Sequence, residues 1–339
     1  MRAALSSFRL SGRRAHTAFL ALLLALLILG SLSLGAGDVS FGDTLRVLTG
    51  RPASEDAYFV VSQLRWPRTL LGIMVGAGLG LAGAVLQAAT RNPLAEPGLL
   101  GVSAGASFAV VLAISLGAAA ATVHLGVAVA GALVGCFLVL LVTRIRDVGD
   151  DPVRLVLAGA AFTGILNSLS SLILLHDQRS ADEIRFWIIG ALGGRPVETL
   201  YWAAPGMLLG ALVLLPVIRP LAALALGEKL ATGLGHNPRL TRAWALVGVA
   251  ILVGTATAAA GPIAFVGLVV PFVARRLTGP DIRNMLGVCL LAGPVILLAA
   301  DIVSRLVIRP YELPIGVVTA FVGAPVLIAI VRGHRLPSL

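Results

Sequence analysis

Few residues in this 339-residue chain have both the type and the spacing that chemistry needs. Asp301 precedes Arg305 by four positions, which stacks the two side chains on one helix face and suits an interfacial ion pair. The five histidines (His16, His124, His176, His236, His334) are scattered and show no paired-ligand spacing. Cys136 and Cys289 lie deep in apolar runs and read as small core hydrophobes, not as a disulfide or a metal site. No GxxxxGK[ST], HExxH or GxSxG occurs, so the sequence offers no phosphate cradle, zinc helix or serine elbow. We therefore expect no catalytic residue, no metal and no cofactor. The chain supplies neither a nucleophile nor an energy source, which points to a passive conduit driven by a partner.

Three polar stretches interrupt an otherwise apolar chain. Arg65 and Arg68 flank Trp66-Pro67 just ahead of a long apolar run. Residues 91–106 read RNPLAEPGLLGVSAGA, where Pro93 and Pro97 remove two backbone donors and stiffen a turn between two apolar runs. Such a turn is either a rigid loop with prolines at helix ends or a support that holds a side chain across a narrow opening. Residues 227–235 read GEKLATGLG, a polar, helix-forming stretch that should form short amphipathic helices ending in a Gly cap.

The elements that position these stretches follow from composition. The chain is 58% hydrophobic and 12% charged, with a mean hydropathy of +0.97, whereas soluble domains are about 45–50% apolar and about 25% charged. That excess needs a bilayer and marks an all-α, polytopic integral membrane protein. The net charge of +10 is accordingly not a nucleic-acid footprint. A spanning helix takes about 20 apolar residues, and ten segments qualify: 17–35, 69–90, 98–117, 122–143, 153–175, 201–218, 241–260, 262–278, 285–304 and 314–331. The first is too long for the h-region of a signal peptide and reads as a transmembrane helix. No linker divides the chain, so 1–339 is expected to form a single membrane domain. Of its 26 basic residues, 17 fall on the side that holds both termini, which the positive-inside rule makes cytoplasmic. The turn at 91–97 and the loop at 219–242 then face the cytoplasm, while Arg65, Arg68 and Arg305 lie on the outer side. Glycines concentrated in MVGAGLGLAGAV and GVSAGASF should let helix backbones approach closely, making 69–90 and 98–117 interior helices.

Several long motifs, in order, resemble the FecCD-type permeases of ABC importers for ferric siderophores, haem and vitamin B12. They are 65–106, LALGEKLATGLG (224–235), GPIAFVGLVVPFVARRLTGPDIR (261–283) and ELPIGVVTAFVGAPV (312–326). The resemblance implies ten helices in the cell membrane and pairing with a second permease subunit as a homodimer or pseudo-dimer. It also implies cytoplasmic ATPase subunits that hydrolyse ATP, and substrate, here an iron–siderophore complex, received from an extracytoplasmic binding protein. By the same resemblance Asn92 and Leu94 belong to a cytoplasmic gate, and a second gate element falls at Asp151, Pro152 and Val153, where this chain departs from the usual small polar residues. Glu228, Ala231 and Gly235 match the core of the segment that couples to the ATPase; a solvated loop helix is the alternative. Arg65, Arg68 and Arg305 match positions that receive acidic residues of the binding protein; membrane anchoring beside Trp66 is the alternative. The resemblance also makes 186–194 a short helix near the outer mouth. An ion-coupled carrier would need an ionisable group deep in a span, and the sequence shows none beyond the peripheral Asp301; a membrane-embedded enzyme lacks its nucleophile or ligands.

Overall fold

A computed structural model describes residues 2–35, 39–118, 125–144, 152–176, 189–308 and 311–332. Among these residues every regular element is helical and no strand occurs. The chain runs through α1 (Arg2–Ser33), α2 (Phe41–Leu48), α3 (Glu55–Phe59) and α4 (Trp66–Thr90), then α5 (Val102–Ser115), α6 (Leu125–Arg144) and α7 (Pro152–His176). It continues through α8 (Glu198–Leu214), α9 (Ile218–Leu224), α10 (Glu228–Gly233), α11 (Pro238–Ala260), α12 (Val266–Thr278), α13 (Ile282–Leu306) and α14 (Ile315–Arg332). Each of the ten apolar segments thus contains a helix. Among the described residues six stretches are long and apolar enough to cross a membrane: Ala15–Ser33, Glu55–Thr90, Leu157–His176, Glu198–Leu224, Pro238–Ala260 and Ile282–Leu306. Val102–Ser115, Gly126–Val139 and Ile315–Ile328 are shorter apolar helices.

The interior is built on α4 and α11, whose most apolar windows are 72% and 78% buried, against 17% for α1 and α7. Close backbone approach makes this possible, as the glycine pattern leads one to expect. A Cβ on Gly83 of α4 would sit 1.8 Å from the Gly267 carbonyl oxygen of α12, and one on Gly293 of α13 would sit 2.1 Å from the Gly76 carbonyl oxygen. α5 likewise buries Gly105 against Gly131 of α6.

Three details differ from the sequence expectation. The helix expected from residue 69 begins at Trp66 and is continuous with α3 through a wide π turn at Val60–Arg65, which accommodates the missing N–H of Pro67. The segment expected at 262–278 is helical only from Val266, because Gly261 (φ 75°) and Phe265 (φ 68°) turn the backbone left-handed on either side of Pro262-Ile263-Ala264. The described part of 186–194, residues 189–194, is a turn and not a helix; Gly190 and Gly194 both take positive φ, and the Ala191 N–H donates to the Ala260 carbonyl at 2.8 Å. Residues 186–188 and Asp151 lie outside the described residues.

Candidate functional site

At the end of α4, Arg91 adopts the left-handed conformation (φ 51°) and terminates the helix. The Asn92 N–H reaches back to the Gln87 carbonyl at 3.2 Å, while the Asn92 side-chain Oδ1 accepts the Leu94 N–H at 2.9 Å. This side-chain turn, with Pro93 inside it, fixes Asn92 and Leu94 relative to each other, and both are half-buried. The turn is pinned to the rest of the protein on two sides. On one, the Glu96 carboxylate accepts the backbone N–H of Phe265 at the start of α12 while Pro97 packs on Gly267. Burial pushes the Glu96 carboxyl above its ordinary range, and the Phe265 N–H pulls it part of the way back. On the other side, the guanidinium Nε of Arg242 donates to the Ala89 carbonyl at 3.2 Å. Nearby, Arg275 of α12 donates to the Gln87 side-chain oxygen at 3.1 Å, with both residues buried. Arg275 belongs to the last turn of α12, inside the segment expected at 262–278.

The stretch 227–235, expected to form short helices, holds a single one, α10, with α9 just before it. Ala231 is fully buried, and Gly235 closes α10 with φ 82°. The Gly235 N–H donates to the Thr232 carbonyl at 2.9 Å and the His236 N–H to the Ala231 carbonyl at 3.0 Å, the paired bonds of a Schellman cap. Leu226, Leu230 and Leu234 remain exposed before, within and at the end of α10. Glu228, in the first turn of α10, forms an ion pair with Arg242 of α11. Glu228 thus comes together with the end of α4 through one arginine.

The outer arginines form a separate cluster. Asp301 accepts from Arg68 Nε at 3.0 Å and Nη2 at 2.8 Å and is also paired with Arg305, so the predicted i, i+4 ion pair forms. It is not peripheral: Asp301 is fully buried. Arg305 Nη1 donates to the carbonyls of Ser31 at 2.8 Å and Leu34 at 3.0 Å, and Arg65 Nη1 to those of Leu32 and Ser33 at 3.0 Å each. These are the orphan carbonyls at the C-terminus of α1, where cations are favoured. Arg65 and Arg305 are therefore buried, at 4% and 2% exposure. Arg68 turns the other way and binds both oxygens of Glu312 at 2.9 and 2.7 Å, at the more exposed edge of the cluster.

Among the described residues no group of three His, Cys, Asp or Glu converges on a possible metal site. The polar groups instead hold helix ends and turns.

Known proteins share this architecture. The ferric enterobactin transport system permease protein FepD of Escherichia coli (strain K12) is 45% identical over 314 residues, covering 92% of this chain and 93% of that one. The vitamin B12 import system permease protein BtuC of Yersinia enterocolitica is 41% identical over 319 residues, covering 91% and 89%. A solved chain of an ABC transporter of metal-chelate type, in an inward-facing conformation, superposes with a TM-score of 0.78 at 30% identity, covering 93% of this chain and 97% of that one. With residues 22–333 matching the FecCD transport family, buried helices meeting at paired glycines, and relatives spanning nearly its whole length, the chain is a member of that family.

Proposed function

We propose that this chain is the multi-pass inner-membrane permease subunit of an ATP-binding-cassette importer for an iron–siderophore complex, with both termini in the cytoplasm. The observation that carries the reading is the 45% identity, across nine-tenths of both chains, to a ferric enterobactin permease. A second permease subunit completes the pathway, separate ATPase subunits hydrolyse the ATP, and an extracytoplasmic binding protein delivers the substrate. Asn92 and Leu94 form the cytoplasmic gate. Glu228, Ala231 and Gly235 belong to the ATPase-coupling element, which the exposed Leu226, Leu230 and Leu234 support, since exposed apolar side chains on a polar loop suit a partner groove. The binding protein docks at the arginine cluster, with Arg68 the member within reach and Arg65 and Arg305 behind it.

The 41% identity to a vitamin B12 permease favours cobalamin as the second reading. The test is uptake into vesicles reconstituted with the permease, its ATPase and its binding protein, offered a panel of ferric siderophores, haem and cobalamin. ATP-dependent uptake of a ferric siderophore is expected. Uptake of cobalamin alone would install the second reading, and ATP-independent uptake driven by an ion gradient would refute both.

A further inference from the structure

Arg242 touches both the coupling helix and the gate-bearing helix. Its Nη2 pairs with Glu228 in the first turn of α10, and its Nε donates to the Ala89 carbonyl in the last turn of α4. Ala89 stands three residues before Asn92, with only Thr90 and the left-handed Arg91 between them. Its carbonyl belongs to the four that a helix C-terminus leaves without an intrahelical partner. Arg242 itself lies in the first turns of α11, a helix packed tightly through the interior and stiffly N-capped by Asn237, whose side chain accepts from the N–H groups of Arg239 and Leu240. The guanidinium therefore sits on a rigid base and holds α10 with one nitrogen and the end of α4, next to the gate turn, with another.

We propose that Arg242 is the positioning residue that carries displacement of the coupling helix to the gate. The inference rests on the coupling and gate assignments made for α10 and for Asn92 and Leu94. Its physical basis is the planar fork of arginine, which fixes the angle between two acceptors bound on different edges. A shift of Glu228 turns or drags that plane, and the Ala89 carbonyl, with the turn behind it, follows or is released. Lysine could neutralise the α4 terminus as a point charge but has a single ammonium and no fixed geometry between two acceptors. A merely electrostatic helix cap would thus survive R242K, and a mechanical link would not.

The experiment measures substrate imported per ATP hydrolysed in the complete importer in proteoliposomes, for wild type, R242K, R242A and E228Q. Cross-linking between cysteines at Leu94 of the two permease subunits reports the gate with and without nucleotide. Loss of one charge-assisted hydrogen bond corresponds to about tenfold or more, so we expect the import-to-ATP ratio to fall by about that factor in R242K and R242A. ATP hydrolysis should continue, and the cross-link should lose its nucleotide dependence. E228Q, which keeps the bond to Ala89 but weakens the ion pair, should show a smaller fall in the same ratio. A wild-type ratio and a nucleotide-responsive cross-link in R242K would overturn the proposal, whatever R242A does. Co-purification of L230D with the ATPase separates this from the reading beneath it. Loss of the ATPase from L230D supports α10 as its docking element, whereas undiminished binding refutes that assignment and the proposal with it.

Discussion

Removing the Asp301 carboxylate distinguishes a buried charge cluster from an interfacial ion pair. An exposed pair at i, i+4 is worth about 0.3–0.5 kcal/mol, so an interfacial reading makes D301A nearly silent. In the structure Asp301 is fully buried and compensates Arg305, itself 2% exposed, as well as Arg68. Removing one member of a buried pair leaves an uncompensated charge and costs about 3–5 kcal/mol. Arg305 keeps its bonds to Ser31 and Leu34, and Arg68 keeps Glu312, so the expected loss lies at the lower end, about 3 kcal/mol. D301N, which preserves shape and one acceptor, should lose less. The assay is equilibrium unfolding of the purified protein in mixed detergent micelles, repeated at high salt. Salt should leave the difference intact, because screening acts weakly on buried charges. A loss below about 1 kcal/mol, or one that vanishes in salt, would refute the buried-cluster reasoning.

Glu96 offers a second test: E96A strands the Phe265 N–H and should cost about 1–3 kcal/mol in the same assay, while E96Q retains an acceptor and should cost much less. Because burial raises this carboxyl, its contribution is fully present below the ordinary glutamate range of about 4.3 and declines as pH rises through the raised value. E96Q should remove that decline, and a flat wild-type profile would argue against it. G83A should destabilise by about 1–3 kcal/mol or prevent insertion, since its Cβ meets the Gly267 carbonyl, whereas G287A, with open space around it, should be close to neutral in thermal unfolding. G235V forces a β-branched residue to φ 82° and should cost at least about 1–2 kcal/mol locally, read as lowered ATPase co-purification with the fold retained. E312Q frees one face of Arg68 and, if the arginine cluster docks the binding protein, should tighten that docking at low salt; unchanged affinity would place docking elsewhere.

What the sequence made legible was set by solvent. Apolar runs of about 20 residues in a charge-poor chain announce spanning helices, because lipid leaves no other way to satisfy the backbone. The interior position of 69–90 was likewise readable, since glycines that would weaken a helix in water mark close contact in lipid. The cap at Gly235 was readable because left-handed backbone has few alternatives to glycine. Phe265 shows the converse: a bulky residue at positive φ gives no sign in sequence, so the start of α12 was misplaced.

Charge was the least legible property. Counting basic residues assigns them to a side of the membrane but cannot say whether a guanidinium meets water or a helix end. Arg65 and Arg305 look like surface cations and instead close the C-terminus of α1, whose carbonyls carry no residue identity to read. Arg242 is hidden for the same reason, its partner being a main-chain oxygen 153 residues away. In a chain that is only 12% charged, Arg65, Arg242 and Arg305 tie one helix to the end of another. The proposed gate turn is one such junction, held by Glu96 to α12 and by Arg242 to α11 and, through Glu228, to α10. Those polar bonds sit in an otherwise apolar packing, in which Gly267 of α12 meets both Pro97 of the turn and Gly83 of α4, so the turn and the helix before it share one contact on α12.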